Sequence, residues 1–466
     1  MGKCPHRWKI GKIGILFCRY RCALINAERR HLGSWDIKID SDEKTNVYSE
    51  PLAYFPYTYQ SPWGGFVFPL NALQSHGPTG WPNYPSIGFT IVSEISGSLF
   101  NDVLLWSIGR TGHEAAAPAE GYSLALNKAA QPFFGYDLHI TMLPGLYLYS
   151  LTGMLEYYNS KGIYVSPLTF QNAFSLFLLS YNFKDYIQID AGSSSIWAKR
   201  FELGYLYPFT IPIMYKNIGD FDNLSVFGNI KLQYPDLGFL WFSVFVDEMN
   251  FEKEFFYLDR EMYAFQAGLH YLIPNLASGS LTLSYTKIEP YCYTHQKVVT
   301  PWINEPIEQS YTSHGYGLGY YLPPNSDEVK LAFSAEASPQ LALNAQLQMI
   351  RHGADHGSGI VDGSSYLSEL KETERSTDPR LRKYFLHDGA YQWLYIVKAG
   401  AQWNLGGLPF SLSLLGDAGV VFSYYTNIEP GKNNNGKSYT NSIVDTSEYP
   451  KSTGIIINLG LKASLR

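Results

Sequence analysis

Two groups of residues have the spacing of known ligand sites. Residues 315–319 read Gly-Tyr-Gly-Leu-Gly, a G-x-G-x-G run of the kind that cradles phosphate. A phosphate cradle needs a helix directly after it, and Pro323-Pro324 prevents one, so the run predicts a loop that enters a strand. His352, Asp355 and His356 include the i, i+4 spacing of metal ligands. They lie in a glycine-rich loop rather than on a helix, and we expect neither a metal site nor a cofactor.

The acidic residues do not form a facing pair for hydrolysis. Asp247 and Glu248 are adjacent in a predicted strand, where successive side chains point to opposite faces, so they cannot flank one glycosidic bond. Asp220 and Asp222 share a face or belong to the turn before the strand at 223. The G-x-S-x-G, P-loop and H-E-x-x-H motifs do not occur in the sequence. We expect no enzyme, and a Ser–His pair on neighbouring strands, as in an outer-membrane lipase, is the catalytic alternative left open.

The composition is typical of a membrane β-barrel. Charged residues make up 16% of the 466 residues and aromatic residues another 16%, with 37 Tyr, 27 Phe and 10 Trp. Soluble domains carry about 25% charged residues, whereas membrane barrels place aromatic residues in girdles at both interfaces. The longest apolar run, Leu237–Phe242, has six residues, and a transmembrane helix needs about 20. A net charge of -6 argues against nucleic acid as a partner.

Alternation with a period of two predicts strands. In Asn223–Tyr234 the even positions are mostly apolar and the odd positions mostly polar. Further strands are predicted at 239–248, 263–273, 280–286, 331–337, 341–349, 393–403 and 408–414. The polar faces are rich in Ser, Thr, Asn and Gln rather than Lys and Glu, as expected for a hydrated lumen. Leu281 and Leu343 therefore face lipid, and Thr282 and Asn344 face the lumen.

The predicted connections alternate between short and long. Short turns are predicted at 235–238, 274–279, 338–340 and 406–407, and long connections at 249–262, 288–329, 351–391 and 422–453. Because outer-membrane barrels have short periplasmic turns and long external loops, we assign the long connections to the cell exterior. The fold class is all-β, a transmembrane antiparallel β-barrel of about 16–18 strands. The last strand is expected to close on the first.

The first part of the chain is less regular. Residues 1–32 form a basic segment with eight Lys or Arg and one acid, Glu28. Its apolar stretch, Ile13–Cys18, is shorter than the core of about 7–15 residues in a signal peptide. The segment is either a degenerate export signal or a misassigned start, and residues 33–466 are predicted to form the barrel. Within them, Pro51–Tyr84 predicts a small irregular or helical element that acts as a plug or lies in the periplasm.

The final predicted strand ends in a pattern similar to a barrel-insertion signal. Asn458-x-Gly460-x-x-Ala463-x-Leu465 follows the order polar-x-Gly-x-x-apolar-x-apolar, without the usual terminal aromatic residue. We therefore expect the barrel-assembly machinery to be a partner. An ordinary edge strand is the alternative interpretation.

Three stretches follow the order and spacing of one family. The first contains Gly109-Arg110, residues 121–127 and Pro132-Phe133, with Asn127 in place of the family's usual Ser. The second contains Tyr205–Pro208, Asp222-Asn223 and the strand-end acids Asp247-Glu248. The third contains Tyr285–Pro290, Tyr293–His295, Tyr311-Thr312, residues 317–319 and Pro324–Asp327. Across residues 100–350 the chain resembles the Wzi-like capsule-assembly outer-membrane proteins.

The resemblance implies a barrel of about 18 strands that binds surface polysaccharide and anchors or organises it outside the cell. Outer-membrane lipid and the polysaccharide are the implied partners. Positions in the lumen or in family motifs are expected for Arg110, Asp222, Asn223, Asp247 and Glu289. The charged connection 351–391 either folds in as a plug or stands out as a ligand surface. A porin-like channel for small solutes is the competing interpretation.

If the resemblance holds, saccharide binds outside, where the connection 288–329 meets neighbouring loops. Aromatic faces contact the C–H surfaces of sugars, and planar polar groups bond their hydroxyls. The candidates in this connection are Tyr293, His295, Trp302, Tyr311, His314, Tyr316 and Asp327. Tyrosines in an interfacial girdle are the alternative, but Trp302 and Tyr311 lie well inside the connection, away from the strand ends.

Overall fold

The computed structural model of the protein covers most of the predicted barrel. It describes residues 9–11, 18–25, 31–43, 67–69, 89–128, 130, 133–155, 172–198, 200, 202–215, 222–248, 262–276, 278–295, 298–299, 306–307, 309–313, 316–353, 391–405, 410–426 and 451–465. The predicted ligand surface or plug at 351–391 and the element at Pro51–Tyr84 fall largely outside these residues.

The described residues form 23 strands and two short helical turns. The strands of the first half are β1 (Lys9–Gly11), β2 (Cys18–Ile25), β3 (His31–Glu43), β4 (Val67–Pro69), β5 (Phe89–Leu99), β6 (Leu104–Thr111), β7 (Phe133–Leu143), β8 (Leu146–Leu155), β9 (Asn172–Phe183), β10 (Ile187–Ala198), β11 (Asn223–Tyr234) and β12 (Gly238–Glu248). Those of the second half are β13 (Met262–Leu272), β14 (Ser280–Ile288), β15 (Val298–Val299), β16 (Pro306–Ile307), β17 (Thr312–Ser313), β18 (Tyr316–Gly317), β19 (Ser326–Ser338), β20 (Leu341–Gly353), β21 (Tyr391–Leu405), β22 (Phe410–Thr426) and β23 (Ser452–Leu465). The helical turns are α1 (Leu203–Leu206) and a 3-10 turn (Pro212–Met214). Neither they nor any other helix in the described residues has the length and apolarity needed to cross a membrane.

Nineteen strands pair in one antiparallel sheet. Consecutive strands are neighbours from β5 to β14 and from β19 to β23, and β14 pairs with β19. Beyond β5 the sheet continues through β3 and β2 to β1. Two small hairpins, β15–β16 and β17–β18, lie apart from the sheet. The predicted all-β antiparallel membrane barrel is confirmed, and two strands of its sheet lie within the basic segment predicted to precede it.

The expectation that the last strand closes on the first is wrong for the described residues. The edge of β23 that β22 leaves free pairs with the three residues of β4, in the register Gly454 to Pro69. Between β23 and the strands β1, β2 and β3 no ladder is among the described pairings. An unpaired strand edge exposes N–H and C=O groups that must be satisfied, and β4 satisfies part of that edge here.

The strands of the barrel expose apolar side chains on the outside and turn polar side chains inward, the reverse of the arrangement in a soluble protein. In β11 the polar positions turn into the lumen together with Phe227, and the other large apolar side chains turn outward, so Asn229 is 6% exposed and Ile230 is 48% exposed. The outward row continues on neighbouring strands with exposed Leu240, Phe242 and Leu269. A continuous exposed apolar band of this kind is typical of a surface that contacts the hydrocarbon of a bilayer.

Short and long connections alternate as predicted. From β5 to β23 the strand bounds give short connections at 100–103, 144–145, 184–186, 235–237, 273–279, 339–340 and 406–409, and long ones at 112–132, 156–171, 199–222, 249–261, 289–325, 354–390 and 427–451; several of these contain residues that the structure does not describe. At the turn after β11, Asp236 and Gly238 have φ of 63° and 119°. A side chain at Gly238 would meet the His270 carbonyl oxygen at 1.9 Å, so this turn requires glycine. We call the two ends of the barrel the long-loop end and the short-turn end.

The two faces should differ in their tolerance of charge. Leu281→Arg and Leu343→Arg place a cation in the outward row and should cost up to about 2–4 kcal/mol at the midplane, less toward the interfaces. Thr282 and Asn344 both line one luminal recess. Thr282→Arg and Asn344→Arg place the cation in that recess and should therefore cost less stability. Urea titration of refolding into lipid vesicles measures the difference. A larger loss in the luminal pair would reverse the assignment of the faces.

Candidate functional site

Two connections at the long-loop end turn back into the barrel. Their described residues, 112–128, 130, 289–295, 309–313 and 316–325, are called the plug. The segment 115–126 consists of small and apolar residues apart from Glu120. Leu124 and Leu126 are buried, and the amide of Ala115 donates to the Leu126 carbonyl at 3.0 Å. The segment folds inward because burying its apolar side chains away from water is favourable.

Backbone groups join the two connections to each other. The amide of Asn127 donates to the carbonyl of Leu318 at 2.8 Å. The Tyr293 hydroxyl donates to the carbonyl of Leu124 at 2.7 Å. These bonds satisfy backbone groups that are enclosed away from water, which would otherwise carry a penalty of about 1–3 kcal/mol each. The two connections therefore form one body.

Aromatic rings fill the space between the plug and the strands. Tyr293 and Tyr311 are stacked, with ring centroids 5.7 Å apart and an interplanar angle of 25°. Phe245 of β12 lies 5.2 Å from Tyr311, and Phe174 of β9 lies 5.6 Å from it on an edge-to-face contact. One continuous buried cluster runs from these rings to Leu394 of β21. The plug thus contacts the lumen wall on strands far apart in the sheet.

Polar side chains of the wall bond the plug directly. The Tyr311 hydroxyl shares a hydrogen bond with Ser194 of β10 at 2.8 Å. The Asn223 amide of β11 donates to the carbonyl of Gln309 at 3.0 Å. The Asp247 carboxylate of β12 accepts the amide of Tyr293 at 2.7 Å. Three successive strands therefore hold the plug in one orientation.

Charged groups at the edge of the plug have specific partners. The Tyr320 hydroxyl donates to Glu328 of β19 at 2.7 Å. Burial and the charge of Glu328 raise the pKa of Tyr320, so the phenol keeps its proton and remains a donor. The ammonium of Lys330 lies 4.9 Å from the ring centroid of Tyr122 and 5.5 Å from that of Tyr321. These cation–π contacts offset part of the cost of enclosing the charge.

The contacts of the plug are structural rather than reactive. The hydroxyls of Tyr293, Tyr311 and Tyr320 bond other parts of the protein. Within the described parts of the chain, no group of three or more His, Cys, Asp or Glu side chains could hold a metal ion. The arrangement can hold loops in place at the long-loop end and can obstruct the lumen.

The predicted saccharide-binding candidates do not lie together at one accessible place. Tyr293 and Tyr311 are 0% and 1% exposed, so the expected place of Tyr311 in an accessible part of the loop does not match its position. The connection turns inward at these residues because their rings pack on Phe174 and Phe245. The amide of His295 donates to the Ser310 hydroxyl at 3.3 Å, within the plug. Three further candidates lie outside the described side chains: Trp302, His314 and Tyr316.

The residues assigned to the lumen or to family motifs occupy both faces of the wall. Asn223 and Asp247 face the lumen, as the bonds above show. Arg110 lies opposite the exposed Phe134 on the outer face. Asp222 bonds Arg200 outside the sheet at 2.7 Å, and Glu289 pairs with Lys287 at 2.5 Å.

The last loop candidate, Asp327, also lies on the outer face. It accepts hydrogen bonds from Arg351, at 2.9 Å from the guanidinium Nε, and from the hydroxyl of Tyr285 at 3.1 Å. The neighbouring rings of Trp393 and Tyr424 are stacked, 6.2 Å apart. Aromatic residues and a paired charge at this level are typical of the interfacial girdle of a membrane barrel.

None of the plug was predicted from the sequence as a luminal element, since the connection 288–329 was assigned to the cell exterior and a plug was expected at Pro51–Tyr84 or 351–391. Segment 112–130 was not identified as a luminal element, and Ser194, Phe174 and Phe245 were not named. The composition carried one usable signal, because residues 115–126 contain a single charge, Glu120. A solvated loop of that length would carry more polar side chains. The positions of Ser194 and the two phenylalanines carry no such signal.

No family model matches the sequence, and no curated protein matches it either. Among solved structures, the chain is similar to Wzi of Escherichia coli, described as an outer-membrane protein involved in group 1 capsule assembly and as a carbohydrate-binding β-barrel. The TM-score is 0.52 with 8% identity, covering 96% of this chain and 78% of that one. This chain shares the fold of an outer-membrane β-barrel. The expected resemblance to Wzi is confirmed at the level of the fold.

Two barrels of Pseudomonas aeruginosa are also similar. OccK10 (OpdN) has a TM-score of 0.43 and 9% identity, covering 96% of this chain and 92% of that one. OccD3 (OpdP) has a TM-score of 0.43 and 10% identity, covering 96% of this chain and 85% of that one.

The plug should depend on the ring of Tyr311 more than on its hydroxyl. Tyr311→Phe removes the hydroxyl and its bond to Ser194 but keeps the ring, and it should lower the free energy of unfolding by about 1 kcal/mol. Tyr311→Ala leaves a cavity in the aromatic cluster and should cost about 3–5 kcal/mol. Denaturant titration in detergent micelles, followed by proteolysis of the plug, measures both. Tyr181→Ala, on the exposed outer face, is the control, and an equal loss there would contradict the account.

Proposed function

We propose that this protein resides in the outer membrane and binds or organises surface polysaccharide at the cell exterior, without enzymatic activity. The plug is the observation that carries the proposal. Stacked tyrosines fill the lumen and backbone hydrogen bonds hold them in place. This arrangement suits a barrel that binds a ligand at its outer end rather than one that conducts a solute through its lumen. The shared fold with Wzi, a carbohydrate-binding β-barrel, supports the same role.

The plug also fixes the base of a loop that carries two of the remaining saccharide candidates, His295 and Trp302. The amide of Tyr311 donates to the carbonyl of Tyr293 at 2.8 Å, so the excursion of the chain between these two residues begins and ends at one point of the plug. Within this excursion β15 pairs with β16, and Trp302 lies in the connection between them. In this proposal Tyr293 and Tyr311 anchor the loop, whereas Trp302, His295, His314 and Tyr316 contact sugar.

The remaining partners follow from the barrel. Outer-membrane lipid contacts the exposed apolar rows of the strands. The barrel-assembly machinery reads the end of β23, which pairs with β22 from Ser452 to Leu465. A porin-like channel for small solutes, the competing function, requires a water path past the plug, and no contact described above favours one.

Replacement of Trp302 by Ala should weaken retention of polysaccharide at the cell surface. The indole is the largest aromatic face in the loop, and stacking of an aromatic ring on a sugar is lost when it is removed. Retention is measured by comparing cell-bound with released polysaccharide in a strain that carries the variant as its only copy. Binding of the purified barrel to the same polysaccharide gives a second readout.

Trp403→Ala is the matched control, because Trp403 is an exposed tryptophan of β21 near the short-turn end. It should leave retention unchanged. Both variants should assemble, which the gel mobility of unheated samples tests. Unchanged retention and binding in a correctly assembled Trp302→Ala variant would remove the support for a saccharide site in this loop.

A further inference from the structure

One long connection does not enter the barrel but lies on its outside. Residues Glu202–Tyr215, between β10 and β11, are called the wall segment. The Thr152 hydroxyl of β8 donates to the carbonyl of Tyr205 at 2.9 Å. The Ser193 hydroxyl of β10 accepts the amide of Ile213 at 2.8 Å. The wall segment is thereby bonded to two strands.

The bonded hydroxyls belong to the outward face of the sheet. In β10, Ser194 faces the lumen, where it bonds the plug, so its neighbours Ser193 and Ser195 face outward. In β9, Phe174 faces the plug, so Ser175 faces outward in the same row as exposed Leu179. The wall segment therefore covers a patch of hydroxyls on the surface that elsewhere contacts lipid.

The register fixes the level of this patch. Ser193 lies opposite Val226 of β11, and Ser195 lies opposite Leu224. Val226 belongs to the exposed apolar row of β11, together with Ile230. The hydroxyls thus lie at a level where the adjacent strand presents apolar side chains to the hydrocarbon. Hydroxyls bare to hydrocarbon would cost roughly 1–3 kcal/mol each, and the wall segment satisfies or covers them.

The outer side of the wall segment is apolar. Met214 is 78% exposed, Leu203 69% and Tyr207 59%. Phe209 and Ile213 are also exposed. Backbone polar groups turn toward the strands while large apolar side chains turn away. The wall segment thus covers the hydroxyl patch on the strands and presents an apolar surface in its place.

An ion pair joins the two described residues that flank the wall segment. Arg200 precedes the segment and Asp222 follows it, and the guanidinium bonds the carboxylate at 2.7 and 2.5 Å. The guanidinium also lies over the rings of Trp197 and Tyr205, at 5.8 and 5.9 Å. This bidentate pair fixes the positions of Arg200 and Asp222 relative to each other, although they lie 22 residues apart in the chain.

We infer that the wall segment is embedded in the leaflet at the long-loop end and that its apolar side chains contact the acyl chains of membrane lipid. Continuity with the exposed apolar band identifies lipid as the occupant, because the segment lies level with Val226 and Leu224. The inference rests on the barrel fold and not on the proposed saccharide function. It makes this side of the barrel wall two layers thick, with the hydroxyl patch sealed between them.

The test places a benzophenone-bearing amino acid at position 214 of the full chain and irradiates intact outer membranes. The same residue at Ile230, in the apolar band, is the positive control, and at Leu124, in the plug, the negative control. We expect lipid adducts at 214 and 230, seen as lipid-sized mass shifts, and none at 124. A cross-link from 214 to a second copy or another protein would overturn the inference. Absence of an adduct at position 214 when position 230 is labelled would also overturn the inference. The assignment of the barrel fold would not be affected by that result.

A charge variant gives an independent measurement. Met214→Glu should weaken refolding into vesicles, whereas Met214→Leu should match the parent protein, because only the first places a carboxylate among acyl chains. Met142→Glu, at an exposed position near the short-turn end of β7, controls for added charge away from the segment. Equal refolding of Met214→Glu and the parent would place the segment in water and contradict the inference.

Discussion

The structure depends on one constraint, which is that polar groups within the hydrocarbon of a bilayer must find partners in the protein. Strands meet it for the backbone by pairing edge to edge, and their period of two then separates the side chains. Asn229 turns inward and Ile230 outward on adjacent residues of β11. The low content of charge and the many aromatic residues follow from the same separation. The short β4 pairs with β23 because an open edge violates the constraint.

The long connections meet the same constraint from the two sides of the wall. Inside, the plug supplies backbone groups and hydroxyls to Ser194, Asn223 and Asp247. Outside, the wall segment supplies a carbonyl to Thr152 and an amide to Ser193. Each connection thereby turns a polar strand position into a point of attachment. The plug gives the barrel a filled lumen and a fixed base for a surface loop, and both features suit the binding of an extended ligand at one end.

The sequence predicted what local alternation determines. The bounds of β11, the turn before β12 and the faces of Leu281 and Thr282 agree with the structure, because each depends on neighbours in the chain. The plug depends on contacts such as Tyr311 with Ser194, 117 residues apart, and no local pattern specifies such a pair. Tyr311 was therefore predicted in an accessible loop although its ring is buried. Trp302 and His314 lie outside the described residues, and their contact with sugar remains a prediction.

Ion conductance across a planar lipid bilayer tests most directly whether the two connections close the lumen. Purified full-length protein, inserted and verified by its heat-dependent gel mobility, is held under voltage in concentrated salt while single insertion events are recorded. The account predicts current close to that of the bare bilayer, because the plug joins strands from β9 to β21 through one buried cluster. A steady, large current per inserted barrel would contradict it and would favour a channel for small solutes.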